Sequence, residues 1–158
     1  MERGAFVERR ARAFVAHLPR MIAERELETV RRKLAWPLAD LEVVEIEDSA
    51  GPGNVVSIHI AHEHVVEVVT GFGERKLRSE HVAERAALAV RQYMNATAPV
   101  GEHLADQLIL PFALARGGRF RALPLSDHTT TNIGVVREFL DVPIDVQGDE
   151  PGATVAFG

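Results

Sequence analysis

Between Glu102 and Asn132 the chain reads EHLADQLILPFALARGGRFRALPLSDHTTTN, and no other stretch restricts its possible folds as much. Leu104, Leu108 and Phe112 recur at helical spacing over Glu102 to Ala115, and Pro111 is expected to kink the later turn. Arg116 to Arg121 (RGGRFR) then turns the chain into a strand ending near Leu123, and SDHTTTN opens a further helix in which Ile133, Val136 and Leu140 share a face. A helix, a short strand and another helix in close succession require helices packed on a sheet, so the expected fold class is mixed α/β (α+β). Short strands near Val142 to Val146 and Ala153 to Phe157 complete this unit.

The first part of the chain gives a second mixed unit. Ala11 to Leu18 reads as a strand, and Pro19 suits the first position of a helix running to Ala35. Within it Ala23, Leu27, Val30 and Leu34 recur at helical spacing, while Glu24, Glu28 and Arg32 are placed to pair on the solvated side. Leu41 to Glu47 alternates as a half-buried strand does, and Asp48 to Asn54 is a turn. Val55 to Ile60 and Val65 to Thr70 are strands, and the chain turns again at Gly71-Phe72-Gly73. A helix capped by Ser79 places Val82, Ala86, Ala89, Val90 and Tyr93 on one face. The order is β-α-β-β-β-α, and Asn95 to Val100 is a connector.

Composition excludes several classes. With 158 residues, 46% hydrophobic and 26% charged, the chain has the make-up of a soluble globular protein. A net charge of −5 gives no general attraction to nucleic acid or anionic membrane, so any RNA contact must come from local basic clusters. The absence of cysteine rules out disulfides and thiolate metal sites. No apolar run is long enough to span a bilayer, and the charged start lacks a signal-peptide core, so the cytoplasm is the expected compartment.

His128 is the candidate for chemistry. The start of a helix favours a neutral, nucleophilic imidazole over a cation there, and its free N–H groups attract phosphate. Thr129, Thr130, Thr131 and Asn132 add hydroxyl and amide groups that suit phosphate oxygens. Arg116, Arg119 and Arg121 form a short basic cluster that suits either phosphate contact or a solvated helix end. His103, Asp106, Gln107 and Leu110 form a stripe beside the apolar one on the same helix. His59, His62 and His64 have the density of a zinc site but lie in a strand-turn-strand segment that aims them differently, which favours a polar hairpin tip. Gly51-Pro52-Gly53 and Gly71-Phe72-Gly73 lack the pattern of a phosphate loop and read as turns. Phe72 is placed either to stack on a base or to pack locally.

GEHLADQLILPFALARGG followed by SDHTTTN resembles the C-terminal signature of the RNA 3′-terminal phosphate cyclases. LPRMIAERELETVRRKL, GPGNVV and TGFGER resemble the segments that precede it in that family, in the same order, from about Arg3 to the end. The resemblance implies a small inserted domain over residues 9–97, followed over 98–158 by a truncated α/β repeat of the catalytic domain. It implies conversion of an RNA 3′-phosphate into a 2′,3′-cyclic phosphate through a covalent histidine-AMP intermediate on His128, with ATP and magnesium or a similar divalent ion. His103, Asp106, Gln107 and Phe72 would line the nucleotide site, with Arg116, Arg119, Thr129, Thr131 and Asn132 as phosphate contacts. The partners implied are RNA 3′-phosphate ends and either a missing N-terminal half of the cyclase or a second copy, because the last unit is expected to expose part of its sheet. Lys76 stands where the family often has glycine, and His103 where an aromatic residue or histidine occurs. The rival readings are a non-catalytic cyclase-like RNA-binding or ribosome-assembly scaffold, and an inactive truncated fragment.

Overall fold

The computed structural model describes residues 2–149 and 152–158. The chain forms β1 (Phe6–Ala16), α1 (Met21–Leu34), a single 3-10 turn (Leu38–Asp40), β2 (Leu41–Ile46), β3 (Gly53–His62), β4 (Val66–Phe72) and α2 (Ser79–Asn95). It continues through α3 (Glu102–Ala115), β5 (Gly118–Ala122), α4 (Asp127–Phe139), β6 (Ile144–Asp149) and β7 (Gly152–Phe157). The architecture is α+β. It divides into two compact units, one of Val7–Ala61 with Val68–Met94, the other of Met1–Phe6, His62–Glu67 and Asn95–Gly158.

In the first unit the sheet order is β2-β1-β3-β4, and β1 pairs with β2 in parallel from Ala11 opposite Leu41 to Ala16 opposite Ile46. A parallel pair needs a crossover, which α1 supplies. Ala11, Ala13 and Val15 on β1 and Val56, Ile58 and Ile60 on β3 alternate into the core, as do Ala23, Leu27 and Val30 of α1 and Val82, Ala86, Val90 and Tyr93 of α2.

Several expectations shift in detail. β1 begins at Phe6 rather than Ala11, because backbone pairing extends through Glu8, Arg9 and Arg10, where side-chain alternation is silent. Pro19 precedes α1 instead of opening it: its carbonyl accepts from the Ile22 N–H at 3.0 Å, and Arg20 occupies the cap position. At α2 the cap role passes from Ser79 to Arg78, whose carbonyl accepts from His81 and Val82. On α1 the solvated pairs are Arg20 with Glu24 and Glu28 with Arg31, not Arg32. In this unit a charged residue is buried against expectation: Glu26 lies on the apolar face of α1, fully buried, accepting from Asn54 Nδ2 while its other oxygen has no hydrogen-bond partner.

The second unit places α3 and α4 on a sheet of order β5-β7-β6, antiparallel throughout. Its core contains Ala105, Ile109 and Ala113 of α3, Ile133 and Val136 of α4, and Phe120, Ile144, Val155 and Phe157 of the sheet. The deepest line on α3 is therefore one residue on from the expected Leu104, Leu108 and Phe112, which are only half-buried. Small side chains at Ala105 and Ala113 let the helix sit close to the sheet. α3 continues to Ala115 past Pro111, with no interruption at the proline. Gly118 is required where the chain leaves α3, since it has φ +104° and an added Cβ would lie 2.8 Å from the Phe112 ring.

The sheet of this unit carries α3 and α4 on one face and leaves the other uncovered, in keeping with the expectation that part of it is exposed. Strand alternation turns Phe120, Val155 and Phe157 toward the helices, and it turns Arg119, Arg121, Thr154 and Gln147 the other way. The outward face is polar. No helix among the described residues is long and apolar enough to cross a membrane.

Candidate nucleotide site

The start of α4 sets the geometry. Ser126 precedes the helix in extended conformation, and its Oγ accepts from the Thr129 N–H at 3.3 Å. Thr129 is fully buried, and its hydroxyl lies 3.1 Å from the Ser126 Oγ. The cap and the burial of Ile133 and Val136 together set the rotation of α4 about its axis. At about 100° per residue, the neighbouring His128 is then swung to the side of the helix, with Asn132 one turn further along the same stripe.

Asp106 of α3 meets that stripe. Its Oδ1 accepts from Asn132 Nδ2 at 2.9 Å and lies 3.3 Å from His128 Nδ1. Asn132 Nδ2 also donates to the Asp106 main-chain carbonyl at 3.2 Å, which ties the two helices together beside the histidine. The His128 side chain is 83% exposed, against 26% for Asp106. With Nδ1 held toward the carboxylate, the geometry of an imidazole ring puts Nε2 on the opposite edge, facing solvent. A lone pair at Nε2 is a nucleophile, and Asp106 orients the ring as the third member of a catalytic triad does. The first N–H groups of α4, without intrahelical partners, lie beside it.

His103 and Gln107 are exposed on α3, one turn before and one residue after Asp106, so the expected polar stripe flanks the histidine. Thr131 is exposed and donates from Oγ1 to the Asp127 carbonyl at 2.8 Å, keeping oxygen lone pairs available. Within the same unit, Thr129, Arg116, Arg119 and Arg121 are not brought to the histidine. Thr129 faces the core, so its hydroxyl serves the helix cap and not an incoming phosphate. Arg116 is the left-handed cap at the far end of α3, nearly three turns from Asp106, or about 15 Å at helical rise. Arg119 belongs to the outward sheet face, and Arg121 donates to the Thr97 carbonyl at 2.9 Å. Phe72 is exposed at the end of β4 and belongs to the other unit.

Glu67 was missed by sequence reasoning. It is buried, and its Oε2 accepts from the N–H of Gly101, the cap residue of α3, at 2.9 Å. Burial raises its carboxyl pKa, opposed by the Gly101 N–H and by the charges of His103 and Arg3. A carboxylate here complements the positive end of the α3 dipole at the turn that carries His103. An added Cβ at Gly101 would stand 2.2 Å from Glu67 Oε1, so glycine is needed at this cap. The available signal was register: in VEVVTG, Glu67 shares its strand face with buried Val69.

The three histidines of the hairpin are engaged separately. Ser57 Oγ lies 3.1 Å from His59 Nε2, the His62 ring meets Phe6 edge-on at 5.9 Å, and His64 Nδ1 lies 3.2 Å from the Glu2 carbonyl. Burial lowers the pKa of both His59 and His62, helped by Arg12 and Arg3 respectively. Among the described residues no group of three or more His, Cys, Asp or Glu side chains is arranged to hold a metal ion.

Residues 1–95 match the family model for the RNA 3′-terminal phosphate cyclase insert domain. This chain belongs to the RNA 3′-terminal phosphate cyclase family. It is 43% identical over 157 residues to an RNA 3′-terminal phosphate cyclase of Koribacter versatilis, a match covering 99% of this chain and 44% of that protein. It is 43% identical over 154 residues to the Ralstonia nicotianae cyclase, covering 98% and 44%. With the Pseudomonas fluorescens cyclase it shares 44% identity over 146 residues, covering 92% and 43%. The chain thus spans a little under half the length of these curated relatives.

Proposed function

We propose that this chain supplies the nucleotide-handling part of an ATP-dependent RNA 3′-phosphate cyclase, with residues up to about Thr97 as the inserted domain and 98–158 as part of the catalytic domain. The observation that carries the reading is the placement of Asp106 between His128 Nδ1 and Asn132 Nδ2. It leaves Nε2 of an exposed histidine free at a helix start, which is what attack on phosphorus requires.

Nε2 of His128 attacks the α-phosphorus of ATP, an N–P bond forms, and the bond to pyrophosphate breaks. The Nδ1 proton stays on the ring, and the positive charge that develops faces the Asp106 carboxylate. An oxygen of the RNA 3′-phosphate then takes the AMP, returning the neutral imidazole. Attack by the adjacent ribose 2′-OH on the activated 3′-phosphorus closes the ring, expels AMP and releases the hydroxyl proton. His103 and Gln107 would contact the adenosine, and Thr131 with the first N–H groups of α4 would meet phosphate oxygens. A divalent ion belongs with such chemistry, but the described residues do not fit as its holder, and no step here is assigned to it. The cytoplasm is the compartment in which ATP and RNA ends would meet the chain.

The test is transfer of label from ATP labelled at the α-phosphate, with the chain mixed with the remaining part of a cyclase relative. Acid-labile label on the wild type and none on His128→Ala is the expected result. Label that survives His128→Ala, or its absence from the wild-type mixture, overturns the proposal.

A further inference from the structure

Two glycine-bearing turns that read in the sequence as plain connections meet in the first unit. GPGN ends at Asn54, Gly73 follows the end of β4, and the Gly73 N–H donates to the Asn54 carbonyl at 2.8 Å. A Cβ at Gly73 would stand 1.8 Å from Asn54 Oδ1, so the approach needs glycine. Asn54 is held in turn by the buried Glu26, to which its Nδ2 donates. The turns wall two adjoining hollows of about 430 and 360 Å³ that share Pro52, Gly53, Asn54 and Gly73. Every residue lining either hollow belongs to this unit.

The larger hollow is rich in arginine. Arg25 of α1 lines it with Arg75 and Arg78, against the carboxylates of Glu74 and Glu80. Arg75 and Lys76 are the central residues of a turn closed by the Leu77 N–H on the Glu74 carbonyl at 3.1 Å, and Lys76 has the φ of +71° that the third residue of a type II turn requires. Among the described residues neither Arg25 nor Arg75 is in an ion pair. α2 opens on the same hollow. Ser79 adds a hydroxyl, while the Glu80 carboxylate accepts from its own main-chain N–H and lies 3.5 Å from Arg78 Nε. An acidic side chain thus already rests where the helix start and the arginines favour an anion. Arg25 and Arg75 remain for more negative charge than one carboxylate supplies, which suits a phosphate.

The smaller hollow has a different character. Phe72 and Ile46 line it and are 65% and 41% exposed. An open aromatic face beside a cationic hollow suits the stacking of a heterocyclic base. We propose that the paired hollows form a nucleotide site of their own, with the phosphate received by Arg25 and Arg75 in the larger and the base laid over Phe72 in the smaller. Glu80 holds the phosphate position until a ligand displaces it. The ligand is either a free nucleotide or one unit of a single strand of RNA, since both present the same ring and phosphate. The site shares no residue with that of Asp106 and His128 and does not depend on adenylylation.

The test is titration of the isotope-labelled chain, read by amide NMR shifts, with AMP, hexauridylate and inorganic phosphate in turn. The amides of Asn54, Gly73, Arg75 and Ser79 should shift saturably with at least one of the two nucleotide probes. Arg25→Gln with Arg75→Gln should weaken that binding at least about tenfold. Phe72→Leu should weaken the nucleotide probes and not inorganic phosphate, and Glu80→Gln should strengthen all three. The amide spectrum of each free variant checks that the fold is intact. Tighter binding of AMP identifies a free nucleotide as the ligand, and tighter binding of hexauridylate identifies a strand. No saturable shift at these amides, binding undiminished by the double arginine change, nucleotides held no more tightly than inorganic phosphate, or no gain from Glu80→Gln would overturn the proposal. The amides report this site apart from that of His128, so the two readings fail separately.

Discussion

Asp106 does two jobs with one oxygen, and that makes it the informative residue to change. Asp106→Asn keeps the size of the side chain but replaces the charge facing His128 Nδ1 with an amide. If the carboxylate orients the ring and balances the charge that develops on it, label transfer to His128 should fall at least about tenfold, or about 1.4 kcal/mol in the barrier. Thermal unfolding should move little, because the pairing with His128 is largely exposed. Equal labelling rates for the two proteins would show that Asp106 serves only to join the helices. Of these residues, His128 was legible in the sequence because a helix start follows the strand pattern. The partnership with Asp106 was not, because the two are far apart in sequence and only packing of α3 against α4 brings them together.

Among the elements, α4 has its first turn held by one side-chain cap, from Ser126, in addition to the core packing of Ile133 and Val136. Ser126→Ala removes the acceptor for the Thr129 N–H and strands the buried Thr129 hydroxyl. The expected cost is about 1 kcal/mol, read as a lower urea midpoint with an unchanged slope. Label transfer should fall with it, since a loosened first turn frees His128 from its direction toward Asp106. Unchanged stability would mean that packing, not the cap, sets the rotation. The same scale explains where helix reading fell short. Periodicity located α3 correctly from Glu102 to Ala115, but it favoured the large residues Leu104, Leu108 and Phe112 as the anchor. Close approach to the sheet selected the line of Ala105, Ile109 and Ala113, for which smallness is the advantage.

For the molecule as a whole, the buried carboxyl of Glu26 makes stability depend on pH. Burial pushes its pKa up from 4.5 to about 7, against the opposing hydrogen bond from Asn54. The folded state therefore holds this proton more tightly than the unfolded chain. The associated stabilisation is complete below about pH 4.5 and is lost as pH rises through about 7, with a size of about 3 kcal/mol. Trp36, the single tryptophan and a buried residue of the same unit, reports that unfolding by fluorescence. Glu26→Gln should flatten the decline in urea midpoint between pH 5 and about pH 8 relative to wild type. An identical decline in both proteins would assign the pH dependence elsewhere.

The α+β class, the β-α-β-β-β-α order, the helix start beside His128 and the polar stripe on α3 are all written in the amino-acid order, because each follows from local periodicity and turn chemistry. The cyclase motifs, read in order, determined the family. Tertiary structure decided what depends on two segments meeting. It paired Asp106 with His128 and Asn132, buried Glu67 at the start of α3, and turned Thr129 inward. It also separated Arg116 from the site by the length of a helix. Those outcomes turn on the rotation of each helix about its axis, which caps and core packing set together and which is invisible in the spacing of residues along one segment.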